Sequence, residues 1–563
     1  MNNRHSFYVK LHSSTILGLE RVNLAIERIG YARTALFLVI ALVLILIVLR
    51  SYHASVTGYL LPDEAFYYNI SVLDGFRETE YRPFFHVVYL LFFGGVRDVW
   101  TFLLRGALYS ALWAVSSIIM TYKIITHLHV ADKTAALLIL SLPLFPVFTI
   151  MVPMILTETL ALFLALVGIY FAHKYLDSLR VVDALLAAIG FVTASLVRQP
   201  YLLLSLGAIL AILLPKRRSL APIVAYSLLL LLIFPIPIRL TPLQFAQPVY
   251  SYLTNLLVQL PRVGLAAALT SLRPGVLMAP RVWIPHGASS YDILYAFVVG
   301  LLYGYNPLFT VFVFVSLGLV AYAALVNRTR MAVFDLLIMT LALLSSLISI
   351  VVIVSSLTAA VSTWTSTIIR MTHTSLPAIF GLRRLYAKLR PRQLVAILLI
   401  FLVLASTQIP QFLNAAQRSL TITGEPINRL SLDYKAPYYR LYLLAKDSGE
   451  TLVIGGSHMR GIRTYMSMLP NVTLSGVPKT QAEFSALVNR EWQTIFLYDD
   501  WITIAKPSLA NVYPTYYREI LLSRSFSGFV LDTLWVDGES YAIRMTRTSA
   551  VPSQTNCPAV SFT

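Results

Sequence analysis

A single cysteine, Cys557, excludes an intramolecular disulfide framework, and no His/Cys cluster at ligand spacing supports a structural zinc site. Charge is scarce, at 12% of residues, and acids are the scarcer half, with 26 Asp and Glu against 44 Lys and Arg. No complete glycine motif for a nucleotide is present, and Gly455-Gly456 before an expected helix reads as a packing turn. Hydrophobic residues, by contrast, make up 57%. A water-soluble chain of 563 residues needs far more polar surface, and apolar runs near 20 residues recur at the length of a bilayer crossing. The composition indicates a polytopic α-helical membrane protein.

The formal charge of +18 is unevenly placed. From Phe412 onward there are 14 Lys and Arg against 12 Asp and Glu, so +16 falls in the apolar part, mostly in short loops. That is the signature of cytoplasmic loops obeying the positive-inside rule rather than of a nucleic-acid partner. A basic segment, 1–33, precedes the first apolar run and is placed in the cytoplasm; the run itself is expected to stay as an anchor rather than be cleaved.

Alternating the basic loops gives about eleven spans within 34–410. The first is Thr34–Leu49, with Arg50 and Tyr52 anchoring its far end, and 51–99 follows as an external loop. Phe84–Val96 is too short to cross and reads as an interfacial or re-entrant helix. Further spans are expected at Trp100–Ile125, 134–151, 154–172, 182–197, 200–214 and 219–238. An external loop, 239–290, leads to spans within 291–326 and at 332–356, 366–382 and Leu394–Ser406. Arg383 and Arg384 fall in the most basic cytoplasmic loop. Beyond residue 411 strands alternate with helices: strands at Thr451–Gly455, Val472–Ser475 and Thr494–Tyr498, and helices at Arg460–Met468 and Gln481–Trp492. This predicts a small extracytoplasmic α/β domain over 411–563.

The unexpected polar residues gather on the external side of this topology. Asp63 and Glu64 stand together in Leu60-Leu-Pro-Asp-Glu-Ala-Phe-Tyr-Tyr68, where the plain alternative is a helix start, since Pro-Asp-Glu suits a first turn. Glu158 lies inside an apolar span near its outer end, where a carboxylate is expensive; a structural ion pair with Arg105 or Arg198 and an acceptor-orienting role stand level. The loop 239–290 carries Arg262, Arg273 and Arg281, with Arg239 at its edge, and no carboxylate. External basic charge runs against the topological rule, so an anion is expected to balance it: a lipid headgroup, or a phosphate gripped by arginine. Tyr67, Tyr68, Tyr81 and Trp283 offer faces for sugar stacking, although an interfacial aromatic belt explains them more simply. Asn69-Ile-Ser and Asn471-Val-Thr are external sequons of a kind that arises by chance.

Four motifs together resemble the membrane glycosyltransferases of the C-type superfamily, in the branch holding protein O-mannosyltransferases and the aminoarabinose transferases of lipid A. They are Asp63-Glu64 in the first external loop; Tyr81-Arg-Pro-Phe-Phe-His86 with Phe93-Gly-Gly95 and Arg105; Leu156-Thr-Glu-Thr159; and Arg198-Gln-Pro200 with Arg370 and Pro377 downstream. The resemblance spans about 34–410. A Trp-Trp-Asp-like acceptor motif is missing from the tail, where Tyr498-Asp-Asp-Trp501 is only superficially similar, which argues against transfer to Asn.

The resemblance implies an inverting transfer from a polyprenyl- or dolichyl-phosphate sugar to a protein, glycan or lipid acceptor at the external face of the cell membrane. It implies a base at Asp63 or Glu64, with Asp63 favoured, and sugar or acceptor positioning by Glu158, Tyr67, Tyr81 and His86. Phosphate binding falls among Arg105, Arg198, Arg262, Arg273, Arg281 and Arg370. It leaves open a divalent cation, Mg or Mn, at Asp63 and Glu64, since some relatives use metal and others do not. The rival class is a transporter or flippase of lipid or lipid-linked sugar, but no repeated halves are visible. A receptor or scaffold would leave the carboxylate and arginine pattern unexplained.

Overall fold

The computed structural model describes residues 26–58, 62–74, 83–144, 155–198, 201–213, 281–284, 307–326, 329–356, 361–364, 375–386, 436–455, 460–499, 513–537 and 540–548, with isolated positions at 298 and within 389–399. They divide into two compact units. One takes Met1–Val48, Thr79–Val87 and Ala107–Ala416; the other takes Leu49–Glu78, Val88–Gly106 and Gln417–Thr563.

The first unit is helical. Helix α1 (Tyr31–Thr57) begins where the Asp132 carboxylate accepts from the backbone N–H groups of Tyr31 and Ala32, at 2.7 and 3.2 Å. Those N–H groups have no partner within the helix, so the acid supplies one and complements the positive end of the helix dipole. Helix α2 (Pro62–Tyr68) follows and belongs to the second unit, whereas α3 (Pro83–Phe93), matching the short helix expected between the first two spans, is divided between the two at Val87 and Val88. The expected second span is α4 (Val99–His127). Helix α5 (Asp132–Ser141) leads toward α6 (Thr157–Ser178), and α7 (Val181–Val197) returns beside it after a left-handed Leu179. A Cβ on Gly190 would stand 2.6 Å from the Gly168 backbone nitrogen, so these two helices touch where both lack a side chain. Helix α8 (Tyr201–Leu213) lies within the segment expected to span at 200–214, α9 (Pro307–Val326) within 291–326, and α10 (Arg330–Ser356) covers 332–356. Among the described residues four helices are long and apolar enough to cross a membrane: Tyr31–Tyr52, Val99–His127, Thr157–Ser178 and Arg330–Leu347.

Two expectations change. Helix α11 (Ser375–Tyr386) carries Arg383 and Arg384 inside its last turn rather than in a loop, because a buried acid on α10 draws them in. Strands β1 (Arg281–Ile284) and β2 (Val361–Trp364) pair antiparallel, Arg281 opposite Trp364, where no strand was expected. The span expected at 219–238, and most of 239–290 and of Leu394–Ser406, lie outside the described residues.

In the second unit, α12 (Pro437–Lys446) precedes a six-stranded sheet ordered β4-β3-β5-β8-β7-β6. Strands β3 (Thr451–Gly455), β4 (Val472–Gly476) and β5 (Thr494–Asp499) are parallel, linked by α13 (Arg460–Met466) and α14 (Gln481–Val488). Thr480 and Glu483 form a reciprocal capping box at the start of α14. Helix α15 (Thr515–Ser523) and the antiparallel strands β6 (Ser525–Phe526), β7 (Phe529–Asp537) and β8 (Ser540–Arg547) complete the sheet. Leu452, Ile454, Phe484, Leu497, Tyr517 and Ile543 are buried in its core.

Tyr516 donates to the Pro478 carbonyl at 2.6 Å, and burial, helped by Glu483, pushes its phenol up to about 12 from 10.0. The folded state therefore holds this proton more tightly than the unfolded chain. The resulting stability is complete below pH 10 and is lost as pH rises from 10 to 12. Thermal unfolding of the full chain in detergent at pH 9 and pH 11 is expected to show a smaller drop for Tyr516→Phe than for the natural sequence. An equal drop would assign the alkaline loss elsewhere.

Candidate active site

The acidic motif folds as a short helix. Pro62 opens α2 with a preset φ and no N–H to satisfy, and acids suit the next positions. The chain then tightens into a π-helical turn, Asn69–Leu73. π-Turns are rare and recur at functional sites.

Glu64 is wholly buried, and Arg50 Nη2 donates to its Oε2 at 2.5 Å. Arg50 thus belongs to the acid rather than merely anchoring the end of a span, and α1 continues past it to Thr57. Beneath α2, Tyr68 meets Phe102 edge-on at 5.1 Å, Phe102 lies 5.3 Å from Phe93, and Phe93 stacks on Tyr89 at 4.3 Å. The Tyr89 hydroxyl reaches the Glu64 carbonyl at 3.4 Å. Tyr67 and Tyr68 are both buried. Asp63 occupies the first turn of the same helix.

The same unit binds this segment to α13 through three consecutive residues. Arg463 makes a two-pronged ion pair with Asp74, its Nη1 3.0 Å from Oδ2 and its Nη2 on Oδ1. Thr464 Oγ1 donates to Asn69 Oδ1 at 3.0 Å, and the Tyr465 hydroxyl donates to the Gly58 carbonyl at 2.7 Å. Gly58 has φ +70°, and a Cβ there would collide with the Tyr439 ring. Asn69 is buried and engaged, so its sequon is no glycan acceptor in this fold. Asn471 is likewise engaged, its Nδ2 donating to the Ser448 and Gly449 carbonyls.

In the helical unit, Glu158 is also wholly buried. Arg198 Nη1 lies 3.0 Å from Glu158 Oε1 and 3.0 Å from Thr157 Oγ1, while Thr157 Oγ1 lies 3.0 Å from Glu158 Oε2. Of the two partners expected for Glu158, the structure selects Arg198. Arg105 instead turns its Nη1 to the carbonyls of Phe92 and Gly94, at 3.2 and 3.0 Å, closing the end of α3. His86 is buried, with Phe85 edge-on at 5.3 Å. Tyr81, Arg262, Arg273 and Arg370 lie outside the described residues, and Arg281 opens β1.

Sequence reasoning missed a third acidic centre. Asp335, buried on α10, accepts from Arg383 Nη2 at 2.5 Å and lies 3.0 Å from His173 Nε2, with Arg384 Nη2 at 4.0 Å. The signal in the sequence is an aspartate within the apolar span 332–356.

No three His, Cys, Asp or Glu side chains converge on a metal site among the described residues. Glu64 does not fit the divalent ion that the resemblance left open, because the Arg50 guanidinium already neutralises it.

No family model and no curated protein sequence matches the chain. Solved structures do. ArnT from Cupriavidus metallidurans bound to undecaprenyl phosphate is 13% identical, with a TM-score of 0.51, over 92% of this chain and 99% of that one. The archaeal oligosaccharyltransferase AglB from Archaeoglobus fulgidus, in complex with an inhibitory peptide and a dolichol-phosphate, is 11% identical at a TM-score of 0.43, over 92% and 75%. At that identity the likeness is one of fold: the chain has the fold of ArnT.

Proposed function

We propose that the protein is an inverting membrane glycosyltransferase that moves a sugar from a polyprenyl- or dolichyl-phosphate donor to a protein, glycan or lipid acceptor at the external face. The observation that carries the reading is the acidic helix α2, held by the buried Arg50–Glu64 pair in a chain with the fold of ArnT. The ArnT structure holds undecaprenyl phosphate, which makes a polyprenyl phosphate the natural donor class.

In this reaction the acceptor O–H or N–H gives its proton to the Asp63 carboxylate. The freed lone pair attacks the anomeric carbon from the face opposite the phosphate, and the bond from that carbon to the phosphate oxygen breaks with its electrons left on the phosphate. Arginine stabilises the departing charge. Glu64 is unsuited to the base role, being buried and already paired with Arg50. Arg198 and Arg105 each have a protein partner for Nη1, and the phosphate falls to one or more of Arg105, Arg198, Arg262, Arg273, Arg281 and Arg370.

Purified protein in lipid vesicles, supplied with a panel of radiolabelled polyprenyl-phosphate sugars and membrane extracts as acceptors, is expected to transfer one sugar. Protein-dependent movement of the labelled lipid across the bilayer without transfer would instead make it a flippase.

A further inference from the structure

The acidic helix is gripped from one side. Arg463, Thr464 and Tyr465 are consecutive on α13, and they hold Asp74, Asn69 and the Gly58 carbonyl respectively. Those three points bracket Asp63 and Glu64 in the sequence. Thr464 Oγ1 also lies 3.4 Å from the Ala65 carbonyl, within α2 itself. Tyr465 is fully buried, and burial, with Tyr438 and Tyr439 next, pushes its phenol well above its ordinary value, so it stays a neutral donor to Gly58. The contact crosses nearly 400 residues of sequence, yet all of it lies within one compact unit.

Successive side chains on a helix point about 100° apart, so three neighbours grip one feature only if it wraps around them. Gly58 and the stretch Pro62–Asp74 meet all three, and that stretch contains the π-turn Asn69–Leu73. A two-pronged Arg–Asp pair fixes direction as well as distance. Its Arg463 side chain is 43% exposed, so its contribution to stability is small and its geometric role stands apart from it.

We infer that Arg463, with Thr464, is a positioning residue for the transfer reaction: α13 sets the orientation of α2 and thereby the aim of the Asp63 carboxylate. The inference rests on the glycosyltransferase reading above. A base displaced by about 1 Å loses rate without losing substrate, since its contact is made only in the transition state.

The test uses the full chain in lipid. Arg463→Ala is expected to lower kcat at least tenfold with donor KM and the unfolding midpoint nearly unchanged. Arg463→Lys is expected to restore part of that loss. The exchanged pair Arg463→Asp with Asp74→Arg is expected to restore more than either substitution alone. Backbone hydrogen exchange over 62–73 reads the grip without any assay of transfer, and is expected to quicken in Arg463→Ala and slow again in the exchanged pair. Unchanged exchange would overturn the grip. Quickened exchange with unchanged kcat would overturn the positioning role while leaving the transferase reading intact. Absent transfer by the natural sequence would overturn the transferase reading, and the positioning role with it, whatever the exchange shows.

Discussion

Asp63→Asn is expected to lower kcat for sugar transfer about 10²–10⁴-fold, the usual contribution of a general base, while leaving the unfolding midpoint in detergent where it was. Glu64→Gln is expected to fail differently. Glu64 is wholly buried with Arg50 Nη2 at 2.5 Å, and Arg50 itself is nearly buried. Removing the carboxylate charge leaves the guanidinium uncompensated in a low-dielectric setting, a loss of about 3–5 kcal/mol. The change should therefore appear first as a lower midpoint and a smaller folded fraction. Replacing both partners by apolar residues, Arg50→Met with Glu64→Leu, is expected to recover much of the lost stability, because neither charge is then stranded. Transfer kinetics and thermal unfolding of the three variants separate the roles. A stable Glu64→Gln protein that cannot transfer would exchange the roles of the two acids.

The spans and the acidic motif were legible because both are local patterns. Continuous apolar runs mark α4, α6 and α10, and Pro62-Asp-Glu writes the start of α2 into neighbouring residues. The partners of those acids were not legible. Arg50 sits at the end of an apolar run, where the same residue serves equally as a membrane anchor, and only packing brings it to Glu64. The grip of Thr464 on Asn69 has no local signature at all. In the sheet, β3 to β5 follow from short apolar runs between helices. No strand was expected for the β7–β8 pair, whose register shifts between Thr533 and Trp535 and so departs from the strict alternation that identifies a strand. Loop rules placed Arg383 and Arg384 outside the helix, whereas Asp335 supplies a buried countercharge that draws α11 onward through them.

That countercharge carries the second large effect. Asp335 is almost wholly buried between His173, which is fully buried, and Arg383, so the acid joins three helices, α6, α10 and α11. Asp335→Asn keeps the shape and removes the charge, leaving Arg383 without its close partner and costing about 3–5 kcal/mol. At 1.4 kcal/mol per decade this is a loss of at least about a hundredfold in the folded-to-unfolded ratio. Arg383→Met is expected to cost less, because Arg384 already stands 4.0 Å from the same carboxylate and His173 remains at 3.0 Å. The order of effects, Asp335 above Arg383, distinguishes an acid holding several donors from a simple pair. Unfolding midpoints of the two variants check the order, and transfer per folded molecule checks the role. A folded Asp335→Asn protein of natural stability with impaired transfer would move this buried centre from architecture to chemistry.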